Sequence, residues 1–281
     1  MDFKRIQVLL VLIFFLFNCY LVTQLYNKFN YADQVNTTTT YTNIEDDLKG
    51  RNISLSKPLD ADRVHLPIVK APKLQLLQDN LGQLKNQKAV VDANGTLNST
   101  FNAPVDLGVG LNNQSTGLSK DQAQIIRDNF LKNGEMFLFG DQYTHWWYIP
   151  SSRLIIFRMS AYDGKAIVDG SADLRIQLDQ NYQMVSYSQN YQTNFYALEQ
   201  PIQLISAKEA VTFLDQRIET YLPNDSKIQH IGLTYFRYMA TKDFSIFSPA
   251  WEIIYYRSDG VTKSMLVDAI RGQVLNHNPG E

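Results

Sequence analysis

Ile6–Leu25 is a run of twenty residues without one charge, IQVLLVLIFFLFNCYLVTQL. Wound as an α-helix, about 20 residues rise about 30 Å, the thickness of a bilayer's hydrocarbon core. The run reads as a membrane-spanning helix. Lys4-Arg5 precedes it, which favours an N-terminus in the cytoplasm. Tyr20, Tyr26, Phe29 and Tyr31 form an aromatic belt at the exit side. A cleaved signal peptide needs a shorter apolar core and a small-x-small site. No such site occurs before Asn30. A lipid-modified Cys19 would need small residues before it, and Phe17-Asn18 are not small. The expectation is a single-pass protein of the cell membrane. Residues 1–5 form a cytoplasmic tail, residues 6–26 the span, and the rest lies outside the cell.

The helix carries polar residues that a simple anchor does not need. Gln7, Val11, Phe14, Asn18 and Leu25 recur at spacings that put them on one face. An amide within the apolar span is costly unless paired, so Asn18 marks this face for contact with another helix. The competing reading is that Asn18 bonds its own backbone.

About 250 residues remain beyond the span, enough for one large domain or two small ones. Hydrophobic residues make up 44% of the chain, which excludes generic disorder. The net charge is −2 and no long basic run occurs, so nucleic acid is not an expected partner. Cys19 is the single cysteine, which leaves the outer part without disulfides or thiol ligands and favours a bacterial surface protein.

Residues 27–62 are polar, with Thr37–Thr40 and Glu45-Asp46-Asp47, and read as a flexible juxtamembrane linker. Regular signals begin near Arg63. Arg63–Lys70 suggests a strand, and Lys73–Leu84 a helix through Leu74, Leu77, Leu81 and Leu84. Lys88–Val91 and Thr96–Phe101 flank Asn94-Gly95 as a hairpin with a tight primed turn. Ser119-Lys120-Asp121-Gln122 is a capping box opening a helix to about Asn133, with Ile125, Ile126, Phe130 and Leu131 inward. Strand patterns follow over Gln142–Ile149, Arg153–Tyr162, the alternating Leu174, Ile176 and Leu178, and Tyr182–Tyr191. A second capping box, Ser206-Ala207-Lys208-Glu209, opens a helix ending near Leu222-Pro223. Three strands close the chain over Ile228–Met239, Trp251–Arg257 and Val261–Ala269. The pattern predicts an α+β fold of helices on antiparallel sheets, divided into parts 63–200 and 201–281.

The chemistry-bearing patterns are thin. Ser54-Leu55-Ser56-Lys57 matches S-x-x-K, and Ser188-Gln189-Asn190 matches S-x-N. Pro58 follows at once, and no K-T-G triplet exists. His65, His145, His230 and His277 lack metal-ligand spacing. Asp163, Asp169, Asp173 and Asp259 read as turn residues. The tyrosines, among them Tyr187, Tyr235, Tyr238 and Tyr255, read mainly as sheet packing with some suited to a protein-binding face. No enzyme, cofactor or metal is expected.

Two stretches carry a family resemblance. Met1-Asp2-Phe3-Lys4-Arg5-Ile6-Gln7, running into the helix with Asn18 and ending Tyr20-Leu21-Val22-Thr23-Gln24-Leu25-Tyr26, resembles the start of the YycI (WalI) family. Pro249-Ala250-Trp251-Glu252-Ile253-Ile254-Tyr255-Tyr256 and Val267-Asp268-Ala269-Ile270-Arg271-Gly272-Gln273-Val274-Leu275 resemble its end and the PepSY-like pattern within it. The resemblance implies a two-part α+β ectodomain with a PepSY-like C-terminal part. It also implies a regulatory partner of the WalK/YycG sensor histidine kinase of Gram-positive bacteria, acting with YycH through transmembrane helices on cell-wall homeostasis. It implies no catalytic residue and leaves the sign of regulation open. The alternative reading is a PepSY-type extracellular peptidase inhibitor or chaperone.

Overall fold

A computed structural model describes residues 7, 10–23, 43–217 and 222–275. The chain divides into two units, Met1–Asp47 and Leu48–Glu281. In the first, Gln7 and residues 10–23 are helical (α1). Among the described residues no helix is long and apolar enough to cross a membrane. Lys4-Arg5, Leu25, Tyr26, Phe29, Tyr31 and residues 27–42 of the expected linker lie outside the described residues.

From Ile44 the expected linker is structured. Helix α2 covers Ile44–Gly50, and strand β1 covers Ser54–Leu55. Leu48, Ile53 and Leu59 are buried, so this polar stretch has its own apolar anchors. The chain continues through β2 (His65–Leu66), β3 (Val69–Pro72), α3 (Leu76–Asn80), β4 (Gln87–Val91) and β5 (Leu97–Val105). Then come α4 (Lys120–Ile126), β6 (Tyr143–Ile149), β7 (Leu154–Met159), β8 (Asp173–Leu178) and β9 (Met184–Gln189). The last elements are β10 (Tyr196–Ala197), β11 (Ile202–Gln203), α5 (Ala207–Asp215), β12 (Lys227–Ala240), β13 (Phe244–Tyr256), β14 (Thr262–Asp268) and β15 (Val274–Leu275).

The fold is α+β and mostly sheet. One six-stranded sheet has the order β4-β5-β9-β8-β7-β6. A seven-stranded sheet has the path β1-β12-β13-β14-β15, with β3 joining β13 and β10 joining β3. The long β13 is its trunk: Phe247 pairs with Arg237 on one side and Val69 on the other. The β7–β8 connection reaches the second sheet, where Val168 N–H donates to Tyr235 O and Tyr235 N–H donates to Ala166 O. The main core joins Leu97, Leu174, Ile176 and Tyr187 to Ile126, Leu131 and Phe137, and to Tyr235 and Phe247 of the other sheet.

Both capping boxes form as expected, at Ser119 with Gln122 and at Ser206 with Glu209. Three local expectations are corrected. The helix expected over Lys73–Leu84 shrinks to α3 and a 3₁₀ turn, Leu81–Gln83, because Asn80 and Gly82 give it little intrinsic support. The helix after Ser119 passes into a π-turn at Arg127–Leu131. Ile126 and Leu131 are buried, whereas Ile125 faces outward because it falls off the stripe set by Ala123 and Ile126. The Asn94-Gly95 turn is not primed. Gly95 alone has positive φ, Gly95 N–H donates to Asp92 O, and Asp92 N–H donates to Thr96 O. That is a type I turn closed by a left-handed glycine. Asp163-Gly164, with positive φ at both residues, is the primed-type turn.

Candidate functional site

Two features stand out chemically, the exposed α1 helix and the seam between the two sheets. On α1, Gln7, Val11, Phe14 and Asn18 are helical and exposed. Phe14 and Asn18 are brought together, since Asn18 Nδ2 donates to Phe14 O at 2.8 Å. The competing reading of Asn18 therefore holds for one of its amide protons. An amide has a second donor proton and an acceptor oxygen. Large apolar side chains from Leu10 to Val22 are 46–66% exposed, on every side of the helix.

The seam is built from charges that strand alternation delivers to one place. Arg158 on β7 lies opposite Asp173 on β8. Glu252 comes from β13 of the other sheet. All three are buried, with 6%, 1% and 5% exposure. Arg158 Nη1 donates to Glu252 Oε1 at 3.1 Å, and Ser264 Oγ donates to the same oxygen at 3.2 Å. Arg158 Nε and Arg175 Nε stand 3.9 and 3.5 Å from the Asp173 carboxylate. Burial disfavours the Arg158 charge, but the Glu252 and Asp173 carboxylates outweigh it and keep the guanidinium protonated. Burial pushes the Asp173 carboxyl up to about 6 against the pull of Arg158 and Arg175.

Beside this network opens a cleft of about 1030 Å³. Its walls are the β4–β5 turn, the start of α3, the Asp169–Ser171 loop and the tip of the β12–β13 hairpin. Asn190 ties two walls together, accepting from Thr96 Oγ1 at 2.7 Å and donating to Gly170 O at 2.9 Å. Asp169 receives the Arg237 backbone N–H at 2.8 Å and the Ser171 hydroxyl at 2.6 Å.

The seam is absent from the sequence-based expectations. Asp169 does make the expected turn contact with Ser171 N–H, but Asp173 is a buried ion-pair partner and not a turn residue. Its signal was Asp173-x-Arg175, opposite charges on one strand face, together with Glu252 alone in the apolar run Trp251–Tyr256. Ser54 lies on a short strand and not at a helix start, and Ser188 lies on the other sheet, so the S-x-x-K and S-x-N matches do not converge. His145 Nε2 contacts Ser160 Oγ and Gly164 O, and burial lowers its pKa. His65 and His230 are on separate strands, and His277 lies outside the described residues. Among the described residues no group of three His, Cys, Asp or Glu side chains is placed to hold a metal. Tyr187, Tyr235 and Tyr255 are buried in the sheets, whereas Tyr196 and Tyr238 are exposed.

The family model of the YycI protein matches residues 32–270. The chain belongs to the YycI family. YycI membership implies a regulatory accessory protein of the WalK system, and the family is regulatory and not enzymatic. No curated protein matches the chain. Among solved structures, an uncharacterized protein from Eubacterium rectale is 10% identical, with a TM-score of 0.42 over 81% of this chain and 91% of that one. The YpeB C-terminal domain of Bacillus megaterium is 9% identical, with a TM-score of 0.37 over 85% and 98%.

Proposed function

We propose that this YycI protein is a single-pass membrane protein that modulates a WalK/YycG-type sensor kinase together with a YycH-like protein, through helix–helix contacts within the bilayer. The supporting observation is the apolar run Ile6–Leu25, whose residues 10–23 form a helix with its apolar side chains exposed all round. Such a helix is unfavourable in water and stable in lipid or against other apolar helices. Gln7, Val11, Phe14, Asn18 and Leu25 form the contact face. The remaining Asn18 hydrogen-bonding capacity supplies a polar contact worth about 1 kcal/mol. The ectodomain faces outward, and its C-terminal part is PepSY-like.

The test is co-purification of the full-length chain with the kinase and the YycH-like protein from membranes, alongside kinase output. Asn18→Leu and Phe14→Ala weaken co-purification and shift output. Unchanged co-purification with unchanged output in both variants would sink the helix-face reading.

A further inference from the structure

We infer that the cleft between the two sheets binds an anionic ligand of small-molecule size, carrying a phosphate or carboxylate beside a hydrogen-bond donor. The inference goes beyond the regulator reading and does not depend on it. The cleft's volume of about 1030 Å³ is at the upper end of the range typical of ligand sites. Its lining carries Lys73, Arg175, Arg237 and Lys242 against Asp92 and Asp169. Arg237 pairs with Asp169 at 3.9 Å and Arg175 with Asp173 at 3.5 Å, so the lysines supply the excess of positive charge. A concave wall with this excess concentrates anions. Lys73 and Lys242 are exposed and flank the Pro72–Phe244 pairing of β3 with β13, so their ammonium groups are available at low cost.

A second observation is independent of charge. Gln192 lines the cleft, is 9% exposed, and its Oε1 has no hydrogen-bond partner among the described residues. A buried acceptor without a donor is costly, so a ligand that draws the Gln192 amide into the cleft and offers it a hydroxyl or N–H would relieve that cost. The site therefore asks for a ligand with an anionic group and a neighbouring donor. An anion held by the lysines would compete with Asp169 for Arg237 and with Asp173 for Arg175. Occupancy would thus act directly on the charges that join the sheets.

The test is calorimetric titration of the full-length protein in neutral detergent at low salt. The probes are glycerol 3-phosphate, N-acetyl-D-alanyl-D-alanine, and glycerol as the uncharged control. One or both anions are expected to bind saturably at one site and to weaken as salt rises. Binding only the phosphate probe or only the carboxylate probe identifies which anion the site takes. Lys73→Gln with Lys242→Gln weakens binding about tenfold, and Gln192→Leu weakens it separately. Circular dichroism checks that each variant is folded. Failure of both anions to saturate at millimolar concentration overturns the inference. So does glycerol binding as well as the anions, or affinity unchanged in the folded lysine variant.

Discussion

Arg158 and Glu252 belong to different sheets and meet at 3.1 Å, Nη1 to Oε1, with both side chains buried. The attraction between such charges is offset by the loss of their hydration, so the pair stabilises little relative to apolar residues of the same size. Breaking it has a larger effect. Glu252→Gln leaves Arg158 facing only Asp173 at 3.9 Å. We expect a loss of about 3–5 kcal/mol in urea unfolding. Arg158→Met combined with Glu252→Leu and Asp173→Asn, which also removes the carboxylate that Arg158 would leave behind, should recover most of that loss. A single-variant cost below about 1 kcal/mol would show that the pair does not join the sheets.

Asp173 makes stability depend on pH in an uncommon direction. Its carboxyl titrates near 3.8 when unfolded and at about 6 when folded, because burial outweighs the nearby arginines. The folded protein holds this proton more tightly. The contribution is fully present below the unfolded value and is lost as pH rises through the folded one. The loss between about pH 4 and pH 7 is on the order of 3 kcal/mol at most. Asp173→Asn should remove this slope, so the wild-type and variant unfolding free energies converge or cross with pH. Parallel profiles would refute the assignment.

Arg51 ties the start of the second unit to α5. Its Nη2 pairs with Asp215 Oδ2 at 2.5 Å, and its Nη1 donates to Leu222 O at 2.9 Å. Both side chains are largely buried. Arg51→Ala leaves Asp215 without this cation, and the expected cost is about 3 kcal/mol. Hydrogen exchange locates the effect. Amides from Leu48 to Leu55 should lose protection before those of β12 and β13. Uniform loss across both sheets would argue against a local clasp.

What could be read from the sequence was what is determined locally. The capping boxes at Ser119 and Ser206 need only four residues, and Leu174, Ile176 and Leu178 announce their strand by alternation alone. The Asn94-Gly95 turn type escaped because Asp92 captures the Gly95 and Thr96 amides. The seam escaped for a deeper reason. Arg158 and Asp173 are far from Glu252 in sequence, and only the meeting of the two sheets makes them neighbours. The cleft beside them has the same origin, since Lys73 and Arg237 line one cavity only once β3 has joined β13.

Two glycines give a controlled comparison of backbone strain and crowding. Gly260 and Gly272 both have positive φ, at +83° and +65°. A Cβ at Gly260 would meet no atom within 4 Å. Gly260→Ala therefore carries only the left-handed backbone cost, about 1 kcal/mol. A Cβ at Gly272 would lie 2.7 Å from the ring of Phe213 on α5, so this ring must move as well. Gly272→Ala adds overpacking of about 1–3 kcal/mol to the backbone cost. Phe213→Leu should relieve part of the Gly272→Ala penalty and none of the Gly260→Ala penalty. Thermal unfolding of the singles and doubles measures the coupling. Strict additivity at Gly272 and Phe213 would mean that the ring is not what Gly272 makes room for.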